Sequence, residues 1–457
     1  MSEKWATLRE LLLPGLDGGH RARALERALR DAIRAGRIHG GTTLPSSRDL
    51  SGQLGLARGT VTTAYDQLVA EGYLVARRGA GTWVADGVAV GVDAVPPARR
   101  PRSGDALDLR PGLPSMAQFP RSAWLAACKA GLAGLSDPEL SYPDTAGLPA
   151  LRAELASYLG RVRAVWARAD DLVITHGTFE GLALLADALR RRGHRLVAVE
   201  DPSNPEQSEL LRRQGLRPVP VLVDEHGLRV DVLAESGCRA VIVTAAHQYP
   251  LGMALHPDRR HALLDWARSR DAVIVEDDYD AEYRYDRPAL AAMQGMAPSH
   301  VVYLGTLSKT LAPALRLGWL VTSVDWIRDE VLAGKRLSDR GCSSLQQAGF
   351  AELLRSGGYD RHLRRTTAIY RRRRDAMLAA LPGWEPIGVA AGLHVVLRLP
   401  DAADDRDVAV RLASHGVLVT PLSEYAGTAP LFPGLVLGYA RLTPDRLRTA
   451  AARFALI

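Results

Sequence analysis

The chain has 457 residues, of which 47% are hydrophobic and 24% charged, with a formal net charge of +7 at pH 7. This composition is ordinary for a soluble globular protein, and the length suffices for one large α/β domain and a small one. No run of about 18 apolar residues could span a bilayer, and the N-terminus lacks a signal-peptide core. The three cysteines show no metal-ligand spacing, so we expect a cytoplasmic protein without membrane contact or metal site.

A helix-turn-helix is predicted near the N-terminus. Residues 21–38 carry apolar side chains at helical spacing. The segment 43–47 reads as the start of a second helix, with a serine as its N-cap, and this helix ends near Gly55. After a short turn, a third helix runs from Arg58 to about Ala70, so that two short helices flank a glycine-containing turn.

The segment 72–84 predicts a two-stranded wing with a basic, glycine-rich tip. In this geometry the first residues of the third helix reach base edges, where arginine can read guanine and a threonine methyl can meet thymine. Serines and wing arginines are better placed for phosphates. The residues predicted to bind DNA are Ser46, Ser47, Arg48, Arg58, Thr60, Thr62, Thr63, Arg77 and Arg78. A solvated helix charge is the alternative for Arg58.

Charge and composition set the domain boundaries. Residues 1–84 hold 12 Lys+Arg and 8 Asp+Glu, a net +4 that suits DNA binding. Residues 85–107 are rich in Gly, Ala, Val, Pro and Arg without a sustained period, and they are predicted to form a linker with solvated arginines. Residues 108–457 form the second predicted domain.

Three short apolar runs in the second domain are predicted to be buried strands. The run 172–175 leads into Gly177 and Thr178 at the start of a helix, where free N–H groups can meet a phosphate. The run 241–244 precedes Tyr249. The run 272–275 ends in the acidic segment 276–280, which contains Asp277 and Tyr279.

Lys309 and Arg316 follow a fourth apolar segment. A lysine amine can form an imine with an aldehyde cofactor, while a hydroxyl and a guanidinium bind its phosphate. A carboxylate at a strand end can pair with a pyridine nitrogen. The pattern predicts a pyridoxal 5'-phosphate site made of Gly177, Thr178, Tyr249, Asp277, Tyr279, Thr306, Ser308, Lys309 and Arg316. Isolated surface or core residues are the alternative for each, and a register error could exchange Asp277 with Asp278 or Asp280.

Longer motifs link these residues to a known family. They include Tyr142-Pro143-Asp144, His247-Gln248-Tyr249-Pro250, Glu276-Asp277-Asp278-Tyr279-Asp280 and Gly305-Thr306-Leu307-Ser308-Lys309, with Leu44-Pro45-Ser46-Ser47-Arg48 near the N-terminus. From about Asp108 onward the chain resembles fold type I aminotransferases. The whole chain resembles a MocR-type regulator of the GntR family.

The resemblance implies an α/β fold with an N-terminal winged helix-turn-helix. The second domain would be aminotransferase-like, with a mostly parallel sheet, flanking helices and a small C-terminal α+β subdomain. It also implies operator double-stranded DNA as a partner, a homodimer, and Tyr142 as a further cofactor contact. The implied function is transcriptional regulation, with pyridoxal phosphate on Lys309 and an amine, amino acid or B6 vitamer as effector. An active aminotransferase with an accessory DNA-binding domain is the alternative.

Two departures from aminotransferases weaken the prediction of an enzyme. Asn204 stands where an aromatic residue is expected near the substrate, and Val436 stands where an arginine would hold a substrate carboxylate. Arg441 is near but is predicted to point to another face. The histidines at 176, 247 and 394 are predicted to pack or form hydrogen bonds, and the arginines 371–374 to form a solvated helix face.

Overall fold

A computed structural model describes residues 21–77, 81–87, 106–428 and 431–456. They fall into two compact units, divided between residues 104 and 105. The first unit contains helices α1 (Arg21–Arg34), α2 (Ser47–Leu54) and α3 (Arg58–Ala70), and strands β1 (Thr43–Leu44), β2 (Leu74–Arg77) and β3 (Gly81–Val84). The predicted helix-turn-helix is confirmed. The Ser46 hydroxyl accepts the Asp49 N–H and caps α2, and Gly55 ends α2 in the left-handed conformation.

Two details of this unit differ from the sequence prediction. The first helix ends at Arg34 rather than Ile38, because Gly36 turns the chain with a φ of 67°. Ile38 nevertheless joins the core, with 3% of its surface exposed. Thr43 and Leu44 form a strand instead of a helix start, since they pair with Trp83 and Thr82 of β3. The wing sheet therefore has three strands in the order β1-β3-β2.

The second unit alternates strands and helices. Its strands are β4 (Leu107–Asp108), β5 (Leu172–Thr175), β6 (Leu196–Asp201), β7 (Arg217–Asp224), β8 (Gly227–Leu228), β9 (Ala240–Val243), β10 (Val273–Asp278), β11 (Val301–Thr306), β12 (Gly318–Val321), β13 (Pro386–Ile387), β14 (His394–Arg398), β15 (Val417–Leu418), β16 (Thr420–Pro421) and β17 (Gly434–Gly438). Its helices are α4 (Arg121–Gly134), α5 (Pro149–Arg163), α6 (Thr178–Arg191), α7 (Pro205–Arg213), α8 (Val230–Glu235), α9 (Pro257–Arg270), α10 (Asp325–Ser338), α11 (Ser344–Arg355), α12 (Gly358–Ala379), α13 (Asp405–Ser414) and α14 (Pro444–Ala452).

A mixed sheet forms the centre of this unit, in the order β5-β12-β11-β10-β9-β6-β7-β8. The neighbours β11, β10, β9, β6 and β7 are parallel, whereas β12 is antiparallel to both β11 and β5. Apolar side chains on both sheet faces are buried against the helices. The parallel strands thus end at one common edge, which is where sheets of this kind bind ligands.

A smaller antiparallel sheet, β13-β14-β17-β16, carries a core of its own and forms the predicted C-terminal subdomain. Strand β4 pairs with β15 beside it. Leu107 therefore belongs to the second unit, although the sequence analysis assigned it to the predicted linker 85–107. No helix within the described ranges is long and apolar enough to cross a membrane.

Two further expectations need correction. Strand β10 extends to Asp278, so the acidic segment begins inside the strand rather than after it. Its carboxylates therefore alternate between the two faces of the sheet. On α12, Arg371 and Arg372 are exposed as predicted, but Arg373 is buried, donates to the Ala440 carbonyl and stacks on the Tyr370 ring.

Candidate cofactor site and nucleic-acid interface

A cavity of about 290 Å³ opens where the parallel strands end. All of the predicted cofactor-binding residues except Tyr142 line it, namely Gly177, Thr178, Tyr249, Asp277, Tyr279, Thr306, Ser308, Lys309 and Arg316. Tyr142 lies outside the cavity with 77% of its surface exposed, and the Arg340 guanidinium stacks on its ring. The sequence did not point to several other lining residues, including Gly112 and Gln207. Asp280, named only as a register alternative to Asp277, and His394, predicted only to pack or form hydrogen bonds, also line the cavity.

Lys309 follows β11 and points its amine into the cavity. Its Nζ donates to the Gly112 carbonyl oxygen at 2.6 Å. Burial lowers the pKa of Lys309, and the carboxylates of Asp280 and Asp277 oppose this in part. A larger neutral fraction makes the amine a better nucleophile toward an aldehyde.

Asp277 lies on the face of β10 that points into the cavity. Its Oδ2 accepts the Gln207 amide at 2.6 Å, while its Oδ1 is buried without a hydrogen-bond partner among the described residues. Burial raises the pKa of Asp277 to about 6. A buried acceptor without a donor is costly, and a protonated pyridine nitrogen is a group that would satisfy it. The residues present therefore fit pyridoxal phosphate at this end of the cavity.

Asp278 points to the opposite face of β10 and does not line the cavity. It forms a buried ion pair with Arg163, whose Nη2 lies 2.7 Å from Oδ2, and it accepts the Tyr303 hydroxyl at 2.7 Å. Burial opposes the charge of Arg163, yet the neighbouring Asp278 raises the pKa of that guanidinium. Asp277 is thus the aspartate that is placed to accept a hydrogen bond from the cofactor, whereas Asp278 belongs to a structural ion pair.

A candidate phosphate cradle lies at the start of α6. Gly177 has a φ of 99°, and a β-carbon there would lie 3.5 Å from Nη1 of Arg316. Thr178 begins the helix, whose free N–H groups and dipole favour an anion. In the same cavity lining, the Thr306 hydroxyl donates to the Ser308 hydroxyl at 3.0 Å. Helix terminus, guanidinium and hydroxyls together can hold a dianion.

Aromatic and imidazole groups form the remaining wall. The Tyr279 hydroxyl donates to the His247 carbonyl at 3.0 Å, and the Tyr249 hydroxyl donates to that of Tyr425 at 2.9 Å. The His247 Nδ1 lies 3.0 Å from Asp280. His394 Nε2 lies 2.9 Å from the Pro250 carbonyl, and burial together with His247 lowers the pKa of His394 to about 4. His394 is therefore neutral near pH 7.

The cavity holds no cation for a substrate carboxylate beyond Lys309 and Arg316, counting the lining residues that the structure describes. Val436 is fully buried in β17. Arg441 donates instead to Asp108, with 2.7 Å between Nη1 and Oδ2. Asn204 does line the cavity, but its side-chain oxygen is engaged by the Glu206 N–H at the start of α7. Neither Val436 nor Asn204 therefore supplies a charged group for an amino-acid carboxylate.

The first turn of α3, the second helix of the helix-turn-helix, is exposed at the surface. Arg58 is exposed, with its Nε 3.5 Å from the Ser47 hydroxyl. The hydroxyls of Thr62 and Thr63 donate to the backbone carbonyls of Arg58 and Gly59 at 3.1 and 2.9 Å. Thr60 is half-buried. The exposed part of α3 therefore offers a guanidinium and threonine methyls to a partner.

The other predicted DNA contacts surround this helix. Ser46 is exposed and donates to the Asp49 carboxylate at 2.6 Å, and Arg48 is exposed on α2. Arg77 stacks its guanidinium 5.7 Å from the Trp83 ring centroid. Arg78 lies outside the described residues.

Each of the two units matches a known protein family. The family described as "Bacterial regulatory proteins, gntR family" matches residues 21–84, and "Aminotransferase class I and II" matches residues 109–454. The chain is 35% identical over 439 residues to the HTH-type pyridoxine biosynthesis transcriptional regulator PdxR of Corynebacterium glutamicum, covering 94% of each chain. The chain belongs to the MocR-type regulators of the GntR family.

A second MocR-type relative is similar over nearly the same length. The chain is 34% identical to the probable rhizopine catabolism regulatory protein MocR of Rhizobium meliloti, covering 93% of this chain and 91% of that protein. Matches of this extent include both the winged helix and the large unit. Both relatives therefore resemble this chain across its DNA-binding domain and its aminotransferase-like domain.

Solved aminotransferase structures share the fold of this MocR-type chain. Pyrococcus horikoshii kynurenine aminotransferase, crystallised with PMP, has a TM-score of 0.70 and 26% identity, covering 77% of this chain and 90% of that chain. An archaeal alanine:glyoxylate aminotransferase has a TM-score of 0.71 at 24% identity, covering 93% and 96%. The predicted fold class is confirmed.

Proposed function

We propose that the chain is a pyridoxal-phosphate-dependent transcriptional regulator that acts in the bacterial cytoplasm. Its winged helix would bind operator double-stranded DNA. Its effector domain would hold the cofactor on Lys309 and sense an amine, an amino acid or a B6 vitamer. The observation that carries this proposal is a cavity with a partner for each polar part of the cofactor but no further cation for a substrate carboxylate among its described lining residues.

Each cofactor-facing residue has one task in this proposal. Pyridoxal phosphate, when bound, supplies an aldehyde that condenses with amines and a ring that withdraws electrons. The Lys309 amine would bond to the aldehyde carbon. Arg316 and Ser308 would hold the phosphate, and the free oxygen of Asp277 would accept the ring N–H. The Tyr279 hydroxyl would turn from the His247 carbonyl to donate to the ring oxygen.

Sensing requires less of this cavity than catalysis does. An enzyme must hold its substrate in one pose and release the product, whereas a sensor needs only a different affinity in two conformations. With Lys309 and Arg316 engaged by the cofactor, an amino-acid carboxylate would find no cationic partner among the described lining residues. This supports a ligand that changes operator affinity rather than one that is turned over.

A turnover assay separates the sensor from the alternative, an active aminotransferase. That alternative is favoured by the similarity to kynurenine aminotransferase and by the buried amine of Lys309. We expect an effector amine to alter operator affinity while common amino-acid and keto-acid pairs give little or no keto-acid product. The measurement is product formation over many equivalents of protein, beside operator binding in the same samples. Sustained multiple turnover would favour the enzyme.

The names of two relatives suggest effectors to test first. One is named for pyridoxine biosynthesis and the other for rhizopine catabolism. Operator affinity measured with and without added pyridoxal phosphate, and then with a panel of amines, would distinguish a regulator of vitamin supply from a regulator of amine use.

The DNA interface is tested by two arginines with different expected roles. On a duplex selected by this protein from random sequences, Arg58→Ala should cost about 1–3 kcal/mol and relax preference at one operator position, because a bidentate base contact is lost. Arg77→Ala should weaken all sequences similarly and reduce the salt dependence, because phosphates carry no sequence information. Fluorescence anisotropy on single-base variants measures both. Uniform weakening by Arg58→Ala would contradict the assigned base contact.

The raised pKa of Asp277 predicts a pH effect on the cofactor-free protein. The native state retains a proton that the unfolded chain loses, between the ordinary value of 3.8 and about 6. The stability supplied by that proton is present at low pH and is lost as pH rises through about 6. Asp277→Asn removes this loss, so we expect the variant to gain Tm relative to wild type as pH rises through the window. Parallel Tm curves for the two proteins would exclude this effect, and loading the cofactor should abolish it in wild type.

We also propose a homodimer, supported by the surface of α4. Among its residues only Ala127 is buried, while Leu125 and Leu132 are 71% and 53% exposed. The two leucines are seven residues apart and therefore lie on one face of the helix, where a second copy of the chain would cover them. In a dimer, the exposed ring of Tyr142 could contact cofactor held by the partner, and sedimentation equilibrium would test the assembly.

A further inference from the structure

A second cavity, of about 480 Å³, lies at the opposite edge of the central sheet from the cofactor site. It is formed where β6, β9 and β10 begin. Its basic lining residues are Arg192, His194, Arg195 and Arg239, with Asp271 and Trp326 at its sides. No role in the proposed cofactor or DNA sites involves these residues.

The arginines of this cavity are poorly neutralised. Arg192 and Arg195 form no ion pair with any carboxylate in the described part of the chain. Arg195 donates instead to the backbone carbonyls of Arg190 and His194, at 3.2 and 3.0 Å. Arg192 places its guanidinium 5.3 Å from the Trp326 ring centroid. The two preceding arginines, by contrast, both pair with Asp187.

The acid at the cavity does little to offset this charge. Asp271 lies 3.3 Å from Arg239, but their side chains are 93% and 58% exposed. Exposed pairs of this kind are weakened by water and salt. The adjacent imidazole is consistent with a positive local potential, because burial, Arg239 and Arg192 all lower the pKa of His194.

We propose that this cavity binds a small anion carrying two or more phosphate groups, such as a nucleotide or pyrophosphate. Guanidinium groups present planar donor pairs that match phosphate oxygens. Several arginines around one concavity can contact adjacent phosphates together, and the Trp326 ring adds an apolar surface beside them.

Strand β10 joins this site to the cofactor cavity. Val273 lines the basic cavity and Asp277 lines the cofactor cavity. Asp277 lies four residue steps along the strand from Val273, a distance of roughly 13 Å. An anion bound at one edge therefore lies on the same strand as the carboxylate that faces the cofactor.

Isothermal titration calorimetry of the full chain tests the proposal, with ATP and inorganic pyrophosphate as separate probes. The protein is first saturated with pyridoxal phosphate, so that the Arg316 cradle is filled. We expect saturable binding of one equivalent, weakened at least tenfold in Arg192→Ala/Arg195→Ala. The matched control is Arg372→Ala on α12, another exposed arginine, which should retain the affinity. Circular dichroism melting checks that the double variant is folded.

Two further arms locate the binding. Arg58→Ala should leave the affinity for ATP unchanged, which separates this site from the winged helix. A duplex without the operator sequence is the last probe, because a neighbouring depression lined by Arg195, Arg212 and Arg217 continues the basic surface. The proposal is overturned if neither ATP nor pyrophosphate binds at millimolar concentration, or if the double variant binds both as wild type does. It is also overturned if the double variant loses affinity for the duplex but keeps its affinity for ATP and pyrophosphate.

Discussion

Replacing Lys309 with alanine is expected to abolish covalent attachment of pyridoxal phosphate. The Lys309 amine lies in the cavity, and burial lowers its pKa. Without that amine, the phosphate cradle could still bind the cofactor but no bond could form to it. Borohydride reduction followed by intact mass measurement should therefore show the added mass in wild type and none in Lys309→Ala. The absorbance band of the imine should be lost in parallel, while any cofactor that stays in the cradle keeps the spectrum of the free aldehyde.

The chain offers a matched control for this experiment. Lys129 is an exposed lysine on α4, and Lys129→Ala should retain both the reducible adduct and the absorbance. Lys309→Arg preserves the positive charge and should behave as Lys309→Ala does, because a guanidinium does not replace the amine as a nucleophile. Reducible cofactor on Lys309→Ala would show that another residue carries the bond.

Among the substitutions considered, breaking the buried Arg163–Asp278 ion pair should cause the largest loss in the free energy of unfolding. Arg163 and Asp278 have side chains only 1% and 3% exposed, with 2.7 Å between them. Arg163→Met leaves the Asp278 charge buried without its partner, which typically costs about 3–5 kcal/mol. Urea unfolding followed through the transition of the effector domain measures this loss.

A double variant and a surface control define the origin of the effect. Arg163→Met/Asp278→Asn should recover much of the lost stability, because the unpaired charge is gone. On the same helix, Arg161 pairs with Asp360 at 2.7 Å, but the Arg161 side chain is 58% exposed. Arg161→Ala should therefore cost no more than about 1 kcal/mol. Equal losses for Arg161→Ala and Arg163→Met would contradict the importance of burial.

Local signals explain which parts of the fold could be predicted from sequence. A serine suited to an N-cap, the glycine at position 55 and the spacing of apolar residues predicted the ends of α2 and α3 to within a few residues. Strand β1 was missed because two residues show no periodicity, and their pairing partners on β3 are far along the chain. Strand β10 was predicted too short because its last residues are carboxylates, each buried against a different distant partner. Glu276 accepts the Met293 N–H, Asp277 accepts the Gln207 amide, and Asp278 pairs with Arg163 of α5.

The same distinction applies to the cofactor site. Lys309, Asp277 and Arg316 occur in compact motifs, and the sequence predicted their grouping. Gly112 and Gln207 were missed because each meets its partner, Lys309 or Asp277, only in the folded chain. No local pattern marks such residues. The separation of Asp277 from Asp278 likewise depends on what packs on each face of the strand.

The antiparallel pairing of β11 and β12 has a consequence for the lifetime of the bound cofactor. Thr306 pairs with Gly318 at the base of the connection 307–317, which carries both Lys309 and Arg316. One connection would thus grip the cofactor at its aldehyde end and its phosphate end. A single opening of that connection would move Arg316 away from the phosphate and would admit the water that must hydrolyse the bond to Lys309, so both ends would be released together. We therefore expect cofactor dissociation to follow one rate, matched by deuterium uptake at the amides of 307–317, rather than two successive rates.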